Sequence, residues 1–403
     1  MNVNPATPSG EGLPHGARMA DLVEEFWDLD AVEGIFRRGV RVSPDDFRDA
    51  FHQRLQRRGR LLLTGSARQA LLIVLSSLAA GSPRRRVLLS SFNCRVVKEA
   101  ADKAGLAIDT FDFAASNGRI DWGAVGERLT AEHLAIVVPH FFGIPADFNP
   151  LVPLARRKGV MIVEDCAHAL GASIGGIPAG LLGDAAVFSF NYDKPISLAG
   201  GGGLLLNHAS IDIDGAAVEV PLAPRAELQQ FRQMAAMLRY NRTPRERRPL
   251  VARIGGKLRV PPYAVPRAAT GFGALRAAVG VWQLERFDEI KALRNEHARI
   301  LKDSLGHLCW HVAQSVEPAH LKLRVILSPG DREYVTQRCR ERRITLANSN
   351  WPHLIEPEAA PDARINAYRA ATFGLEVPVH QNLSRAQLSA ISGAFANAKR
   401  PDW

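Results

Sequence analysis

The chain has 403 residues, 46% of them hydrophobic, and its 51 Lys and Arg against 41 Asp and Glu give a net charge of +10. It contains no apolar run near the roughly 20 residues that span a bilayer, which excludes a membrane-spanning protein. The four cysteines have no paired spacing, which excludes a disulfide framework and a structural zinc site. We therefore expect a cytoplasmic protein with one large and one smaller domain.

The positive charge lies in short arginine clusters rather than in a nucleic-acid-binding motif. These clusters are RRGR at 57–60, RRR at 84–86, RYNRTPRERR at 239–248 and RERR at 340–343. Scattered arginine is typical of a solvated surface, and part of it is suited to an anionic small substrate. We expect no nucleic-acid partner.

The order of predicted elements indicates the fold. Residues 1–18 are predicted to be disordered, residues 19–57 show helical apolar spacing, and from about residue 60 short apolar strands alternate with helices. In chain order these strands and helices are LLLT, ARQALLIVLSSLAA, RVLLSS, VVKEAADKAG, AIDTFDF, DWGAVGERL, LAIVVPH, NPLVPLARRKG, VMIVEDC, AAVFSF and GGLLLN. The alternation predicts an α/β fold with a mainly parallel sheet sandwiched by helices.

The alternation of short strands and helices ends over residues 208–270, which are rich in Pro and Arg. One long helical pattern follows, FGALRAAVGVWQLERFDEIKALRNEHARILKDSL, and then a smaller α/β unit. We therefore predict a large domain over residues 19–270, with its N-terminal helices, and a long helix plus a small C-terminal domain over residues 271–403.

Two kinds of reactive side chain follow the predicted strands. Glu164 and Asp165 end the strand VMIVEDC, and since neighbouring strand residues point to opposite faces, one of them can face the crevice at the carboxyl ends of the strands. Lys194 follows the strand FSF and reaches the same crevice. Pyridoxal 5'-phosphate (PLP) requires two groups of its protein: a carboxylate that keeps a ring nitrogen protonated and an amine that forms an imine.

These residues lie within motifs that resemble the DegT-type sugar aminotransferase family of the fold-type I PLP enzymes. The resemblance runs from about residue 60 to the C-terminus. Its motifs, in chain order, are SARQAL at 66–71, VVPHFFGIPADFNPL at 137–151, EDCAHALGA at 164–172, GDAAVFSFNYDK at 183–194, GGGG at 200–203, RAAVGVWQLER at 276–286 and LEVPVHQNLS at 375–384. The resemblance implies a large domain that binds PLP and a smaller C-terminal α/β domain.

The resemblance assigns roles to four residues near the cofactor. Lys194 matches the lysine that binds PLP as a Schiff base, and Asp165 matches the partner of the pyridinium nitrogen. His168 matches a Gln-or-His position that lies against the cofactor and its phenolic oxygen. Ser189 matches a serine that contacts the phosphate, although a polar residue alternating in a strand is the plain alternative.

The phosphate site and the stacking position depart from the family pattern. The phosphate is expected at the start of the SARQAL helix, where Ser66, Ala67 and Arg68 are the candidates, but the commoner Gly-Thr pair is absent. Whether Arg68 contacts the phosphate or faces solvent stays open. The family often stacks an aromatic ring on the cofactor where this chain has Cys94, with Phe92 two residues earlier, and a thiol is only a small contact.

Other positions bear on the partner subunit and on metals. Many sugar aminotransferases carry an Asn and an Arg that reach the partner's active site, and this chain has Ala269 and Gly271 there. The sequence HLCWH places His307, Cys309 and His311 on one face of a predicted strand, but without a fourth ligand we expect packing and no metal.

The resemblance implies a homodimeric aminotransferase that moves an amino group, with glutamate as donor, to the keto group of a nucleotide-linked sugar. A non-sugar carbonyl acceptor stays open, and a PLP-fold regulator without catalysis is a further alternative. In the resembling sugar dehydratases histidine replaces the lysine, so Lys194 disfavours that activity. RYNRTPRERR at 239–248 is either an exposed charge run or a grip for a diphosphate at the active-site entrance.

Overall fold

The structure is a computed structural model that describes residues 28–114, 117–242, 271–346, 353–354 and 365–401. At 240–242, 353–354 and 365 it describes the backbone alone. Within these ranges, no helix combines the length and the apolar character that crossing a bilayer requires.

The strands and helices match most of the predicted elements. The strands are β1 (Arg60–Thr64), β2 (Arg86–Ser90), β3 (Phe92–Asn93), β4 (Ala107–Phe111), β5 (His133–Pro139), β6 (Met161–Asp165), β7 (Ser173–Ile174), β8 (Ile177–Pro178), β9 (Ala185–Ser189), β10 (Gly202–Leu206), β11 (Val316–Glu317), β12 (Lys322–Ile326), β13 (His353–Leu354) and β14 (Gly374–Pro378). The α-helices are α1 (Leu29–Arg37), α2 (Pro44–Arg54), α3 (Ala67–Ala80), α4 (Arg95–Lys103), α5 (Trp122–Arg128), α6 (Val152–Lys158), α7 (Gly215–Val218), α8 (Pro224–Arg242), α9 (Ala274–Glu285), α10 (Phe287–Leu305), α11 (Pro329–Glu341), α12 (Ile365–Phe373) and α13 (Arg385–Ala394).

Seven strands form the central sheet, in the order β1-β10-β9-β6-β5-β2-β4. The pairs from β9 to β4 are parallel, and β10 is antiparallel to both β9 and β1. Six strands therefore run in one direction, which confirms the predicted mainly parallel sheet. Their carboxyl ends meet at one edge, where ligands bind in sheets of this kind.

Alternating strand residues separate two apolar cores on the two faces of the sheet. In β9, Phe188 packs in the core that contains Phe47 and Phe51, whereas its neighbour Val187 packs in the core that contains Val74. Every residue of β5 is buried, as expected of a central strand covered on both faces. Burial on both faces explains why these strands read as continuous apolar runs.

A smaller unit surrounds the antiparallel pair β12–β14. Helices α10, α11 and α13 contribute buried residues to its own core, together with both strands. A two-stranded ladder also joins β13 to β3, with His353 opposite Asn93 and Leu354 opposite Phe92. The C-terminal part of the chain thus contacts the loop that follows β2.

The expected single long helix is wrong, because the pattern divides into α9 and α10 at Arg286. Arg54 Nη2 donates to Leu284 O at 2.8 Å. In a continuous helix this carbonyl would accept a hydrogen bond from the next helical turn. Leu275 on α9 packs in the large core, whereas Leu301 on α10 packs in the small one. Burial in two different cores therefore breaks the helix.

The expected loss of regular structure over 208–270 is also wrong for its first part. This segment contains α7 and the 19-residue helix α8, while residues 243–270 lie outside the described ranges. Leu228, Phe231, Met234 and Leu238 are buried at helical spacing, and this periodicity was the signal for α8. HLCWH is not a strand either, because His307 lies in a short 3-10 helix and its Nε2 bonds to Ala398 O at 3.0 Å.

Candidate active site

A cavity of about 530 Å³ lies at the carboxyl edge of the sheet. The ends of β5, β6 and β9, the glycines before β10 and the start of α3 all border it. All eight of the expected cofactor-site residues line it: Ser66, Ala67, Arg68, Cys94, Asp165, His168, Ser189 and Lys194.

The two acids at the end of β6 have different environments. Asp165 lines the cavity, and its Oδ1 accepts a hydrogen bond from Ala167 N at 3.1 Å. Burial raises the pKa of Asp165, and the positive charge of Lys194 opposes this shift only in part. Because a buried carboxylate of this kind favours a proton, the site is suited to a ligand that brings a protonated nitrogen.

Glu164 faces away from the cavity and has a structural role. Its two carboxylate oxygens accept hydrogen bonds from Gly180 N, Leu182 N and Gly183 N, and His140 Nε2 lies 2.9 Å from Oε2. Although ligand atoms of His140, Glu164 and Cys166 lie within 4.8 Å of one another, these contacts already occupy the carboxylate. The geometry therefore gives a metal ion no open oxygen on Glu164.

Lys194 lies beside His168 within the cavity. Lys194 Nζ is 2.9 Å from His168 Nε2 and 3.4 Å from Asp193 Oδ2. Phe142 N donates to His168 Nδ1 at 3.3 Å, so the proton of the neutral ring lies on Nε2. Burial lowers the pKa of His168 well below its ordinary value, and the neighbouring lysine charges lower it further, so the ring stays neutral.

The N-terminus of α3 forms one end of the cavity. Ser66 is the N-cap, and its Oγ accepts from Gln69 N at 3.2 Å. A Cβ at Gly202 would lie 2.5 Å from Ala67 N, so the glycine run passes directly against this helix start. Arg68 borders the cavity but also lies 3.7 Å from Glu99 Oε2, with its side chain 44% exposed. Its guanidinium is therefore available at the mouth of the cavity.

The stacking position has no aromatic ring. Cys94 is half-buried in the cavity wall, where it is the N-cap of α4. Phe92 is fully buried in a separate cluster, with its ring 5.1 Å from that of Phe113 and 5.6 Å from that of Trp310. Phe92 therefore does not replace the missing ring.

The structure brings in residues that the sequence patterns did not identify. Met234 and Met237 of α8 line the cavity, although α8 was not predicted. Lys322 of β12 is buried, and its Nζ donates to Glu376 Oε2 at 2.8 Å. Burial raises the pKa of Asp193, but the charges of Lys194 and Lys322 outweigh this and leave that pKa lowered. The smaller unit thus acts electrostatically on the residue before the lysine.

Of the two positions that concern a partner subunit, Ala269 lies outside the described residues. At Gly271 a Cβ would lie 2.2 Å from Val220 O, so this backbone leaves no room for a side chain.

Comparisons with known protein sequences cover part of this chain. Residues 32–220 match the model of the DegT/DnrJ/EryC1/StrS aminotransferase family. The chain is 31% identical over 141 residues to UDP-N-acetyl-3-dehydro-alpha-D-glucosamine 3-aminotransferase of Acidithiobacillus ferrooxidans, which covers 35% of this chain and 38% of that protein. It is 27% identical over 287 residues to GDP-perosamine synthase of Caulobacter vibrioides, covering 68% and 69%.

A solved structure extends the likeness over nearly the whole chain. The aminotransferase TlmJ from Streptoalloteichus hindustanus superposes with a TM-score of 0.68 at 21% identity, over 93% of this chain and 97% of that one. Together with the parallel sheet, this confirms the predicted fold-type I architecture. Over residues 32–220, just under half of its length, the chain is thus similar to the DegT/DnrJ/EryC1/StrS aminotransferase family.

Proposed function

We propose that this protein is a PLP-dependent aminotransferase that transfers an amino group from an amino-acid donor to the keto group of a nucleotide-linked sugar. Aminotransferases of this family depend on PLP. The observation that carries the proposal is the shared cavity, which Lys194, the half-buried Asp165 and the start of α3 all line. An amine, a carboxylate and a helix N-terminus are what the cofactor's aldehyde, ring nitrogen and phosphate need.

The residues present fit this cofactor. A volume of about 530 Å³ is within the roughly 300–1,000 Å³ range of pockets for small ligands. The raised pKa of Asp165 reflects burial without a full set of partners, which a protonated ring nitrogen would supply. The glycine run passes close to the start of α3, and the proposed phosphate contacts line the same cavity: Ser66, Ala67, Arg68 and Ser189.

Bound PLP supplies an electrophilic carbon and an electron-withdrawing ring that carries the amino group between two substrates. His168 positions Lys194 for this chemistry. Phe142 N donates to Nδ1 of the ring, and Nε2 lies 2.9 Å from Lys194 Nζ. The uncharged amine is the form that attacks a carbonyl and accepts a proton from the donor's Cα.

Asp165 lines the same cavity as Lys194. Its ionised carboxylate would hold a proton at the ring nitrogen of bound PLP, and Ala167 N keeps the side chain in place. The carboxylate is stabilised only when that positive partner is present, because burial otherwise favours its neutral form. Cofactor binding and the charge of Asp165 are therefore coupled.

The names of the relatives support a sugar acceptor. Both relatives described above are named for nucleotide-sugar products or substrates. We propose glutamate as donor. A non-sugar carbonyl is the second candidate, favoured by Gly271, where the backbone excludes the side chain expected to reach a partner's site.

One experiment separates these acceptors. The purified protein, loaded with PLP and glutamate, is mixed with nucleotide keto-sugars or with simple keto acids, and the return of the cofactor's visible absorbance is followed. We expect return with a nucleotide keto-sugar. Return with keto acids alone would favour the second candidate, and an absorbance that glutamate never changes would contradict aminotransfer.

We also propose that the active unit is a homodimer, because enzymes of this fold build their sites at a two-fold interface. Light scattering combined with turnover measurements tests this proposal. A fully active monomer would contradict it.

A further inference from the structure

Asn93 places an unpaired donor at the wall of the candidate active site. Its side chain is 1% exposed and borders the same cavity as Lys194. Cys94 N donates to Asn93 Oδ1 at 2.8 Å, which fixes the orientation of the amide. The opposite end, Nδ2, has no hydrogen-bond partner among the residues that the structure describes.

The unpaired amide lowers the stability of the protein unless a ligand supplies a hydrogen-bond acceptor. A buried donor without an acceptor lowers the stability of the folded state, so native proteins keep few of them. Proteins retain such groups where a ligand supplies the missing acceptor. Asn93 borders the cavity, which fits this explanation.

The chain next to Asn93 favours an anionic ligand. Helix α4 begins at Arg95, directly after Cys94, and over its nine described residues no side chain caps its N-terminus. The first N–H groups of a helix carry partial positive charge and attract anions. Val96 of this first turn borders the same cavity. The amide donor and the helix end therefore lie next to each other at the cavity.

We infer that Asn93 and the start of α4 form a subsite for the carboxylate of the amino-acid donor, with Nδ2 donating to one carboxylate oxygen. The inference rests on the proposed function, since a carboxylate is the group that every amino-acid donor carries beside its reacting carbon. Asp165 and the start of α3, which line the same cavity, already have proposed partners on the cofactor, whereas Asn93 has none. A carboxylate is charged, and it therefore accepts a stronger hydrogen bond than a neutral acceptor does.

The test measures binding rather than turnover. Glutarate, a dicarboxylate without an amino group, is titrated by calorimetry into PLP-loaded parent, Asn93→Ala and Asn93→Asp. We expect about tenfold weaker binding for Asn93→Ala, since one charge-assisted hydrogen bond is lost. Asn93→Asp keeps an acceptor for Cys94 N but presents a negative charge, so its binding should fall below detection. Exposed Asn149 provides the matched control, Asn149→Asp, which should bind like the parent.

Equilibrium dialysis of PLP against the same proteins completes the test. We expect each Asn93 variant to bind PLP within about twofold of the parent, because the subsite serves the substrate. The inference is overturned if the variants bind glutarate like the parent, if the parent binds none, or if PLP affinity falls in parallel with glutarate affinity. If Asn93→Ala fails to fold, the glutarate affinity of Asn93→Asp alone decides between these outcomes. Failure of the proposed function would show separately, as a parent that takes up no PLP or transfers no amino group.

Discussion

Lys194 Nζ lies 2.9 Å from His168 Nε2, while Phe142 N donates to the other nitrogen of the same ring. A neutral imidazole has one N–H, so a donor at Nδ1 places the ring proton at Nε2, facing the lysine. A backbone amide of the loop after β5 therefore holds the ring of His168 in place against Lys194 within the cavity.

Lys194→Ala should remove both the cofactor's visible absorbance and all turnover, because no other lysine lines the cavity within the described residues. Lys98→Ala is the control, since Lys98 is exposed and pairs with Asp102 on the same helix. Absorbance spectra after PLP loading and dialysis check the prediction. An unchanged spectrum in Lys194→Ala would falsify the lysine assignment.

Asp165→Asn should keep part of the PLP affinity but lower kcat by about 10² to 10⁴, the usual contribution of a proton-holding group. Asparagine can still accept from Ala167 N, but a neutral amide cannot stabilise a protonated ring nitrogen. Steady-state kinetics and PLP dialysis are measured on the same preparation. Turnover near the parent rate would show that Asp165 does not have this role.

The same substitution should stabilise the PLP-free protein at neutral pH. Burial raises the pKa of Asp165 above that of the unfolded chain, so stability falls as pH rises from the ordinary carboxyl pKa through the raised value. Asparagine has no carboxyl group to ionise, so the variant does not lose stability in this way as pH rises. We expect Asp165→Asn to have the higher Tm at neutral pH, with the difference vanishing below about pH 4. Thermal unfolding of both PLP-free proteins across this range checks the sign, and a lower Tm for the variant at neutral pH contradicts it.

Gly202→Ala should weaken PLP binding by tenfold or more, on the order of 1.4 kcal/mol. Its Cβ would lie 2.5 Å from Ala67 N and from Ser66 C, so the start of α3 must move. Gly330→Ala is the control, because a Cβ there meets no atom within 4 Å. Dialysis against PLP gives both affinities, and equal affinities would mean that the helix start does not hold the phosphate.

Arg239→Ala should raise the KM of the nucleotide-linked acceptor several-fold and weaken its dependence on salt, while PLP binding stays unchanged. Arg239 is exposed two residues after Met237, which lines the cavity. The rest of RYNRTPRERR beyond 242 lies outside the described residues. Arg232→Ala on the same helix is the control, since Arg232 pairs with Glu33. An unchanged acceptor KM would indicate an exposed charge run.

The amino-acid sequence by itself determined the elements and the order of the reactive groups. The pattern ARQALLIVLSSLAA predicts the helix that the structure gives as Ala67–Ala80, and the apolar strands predict a mainly parallel sheet. Parallel strands bring their carboxyl ends to one edge, so Asp165 and Lys194 could be placed near each other from their positions after β6 and β9 alone. Local periodicity and chain direction suffice for this, because both are properties of consecutive residues.

Only the tertiary structure decided which neighbours those residues have. The pattern allowed either Glu164 or Asp165 to face the cavity, and three backbone N–H groups from 180–183 take Glu164 to the other side. The break at Arg286 and the unpaired Nδ2 of Asn93 depend likewise on distant segments. Periodicity reports that a residue is buried, but the hydrogen-bond partners and charges that it meets come from chain segments far away in sequence.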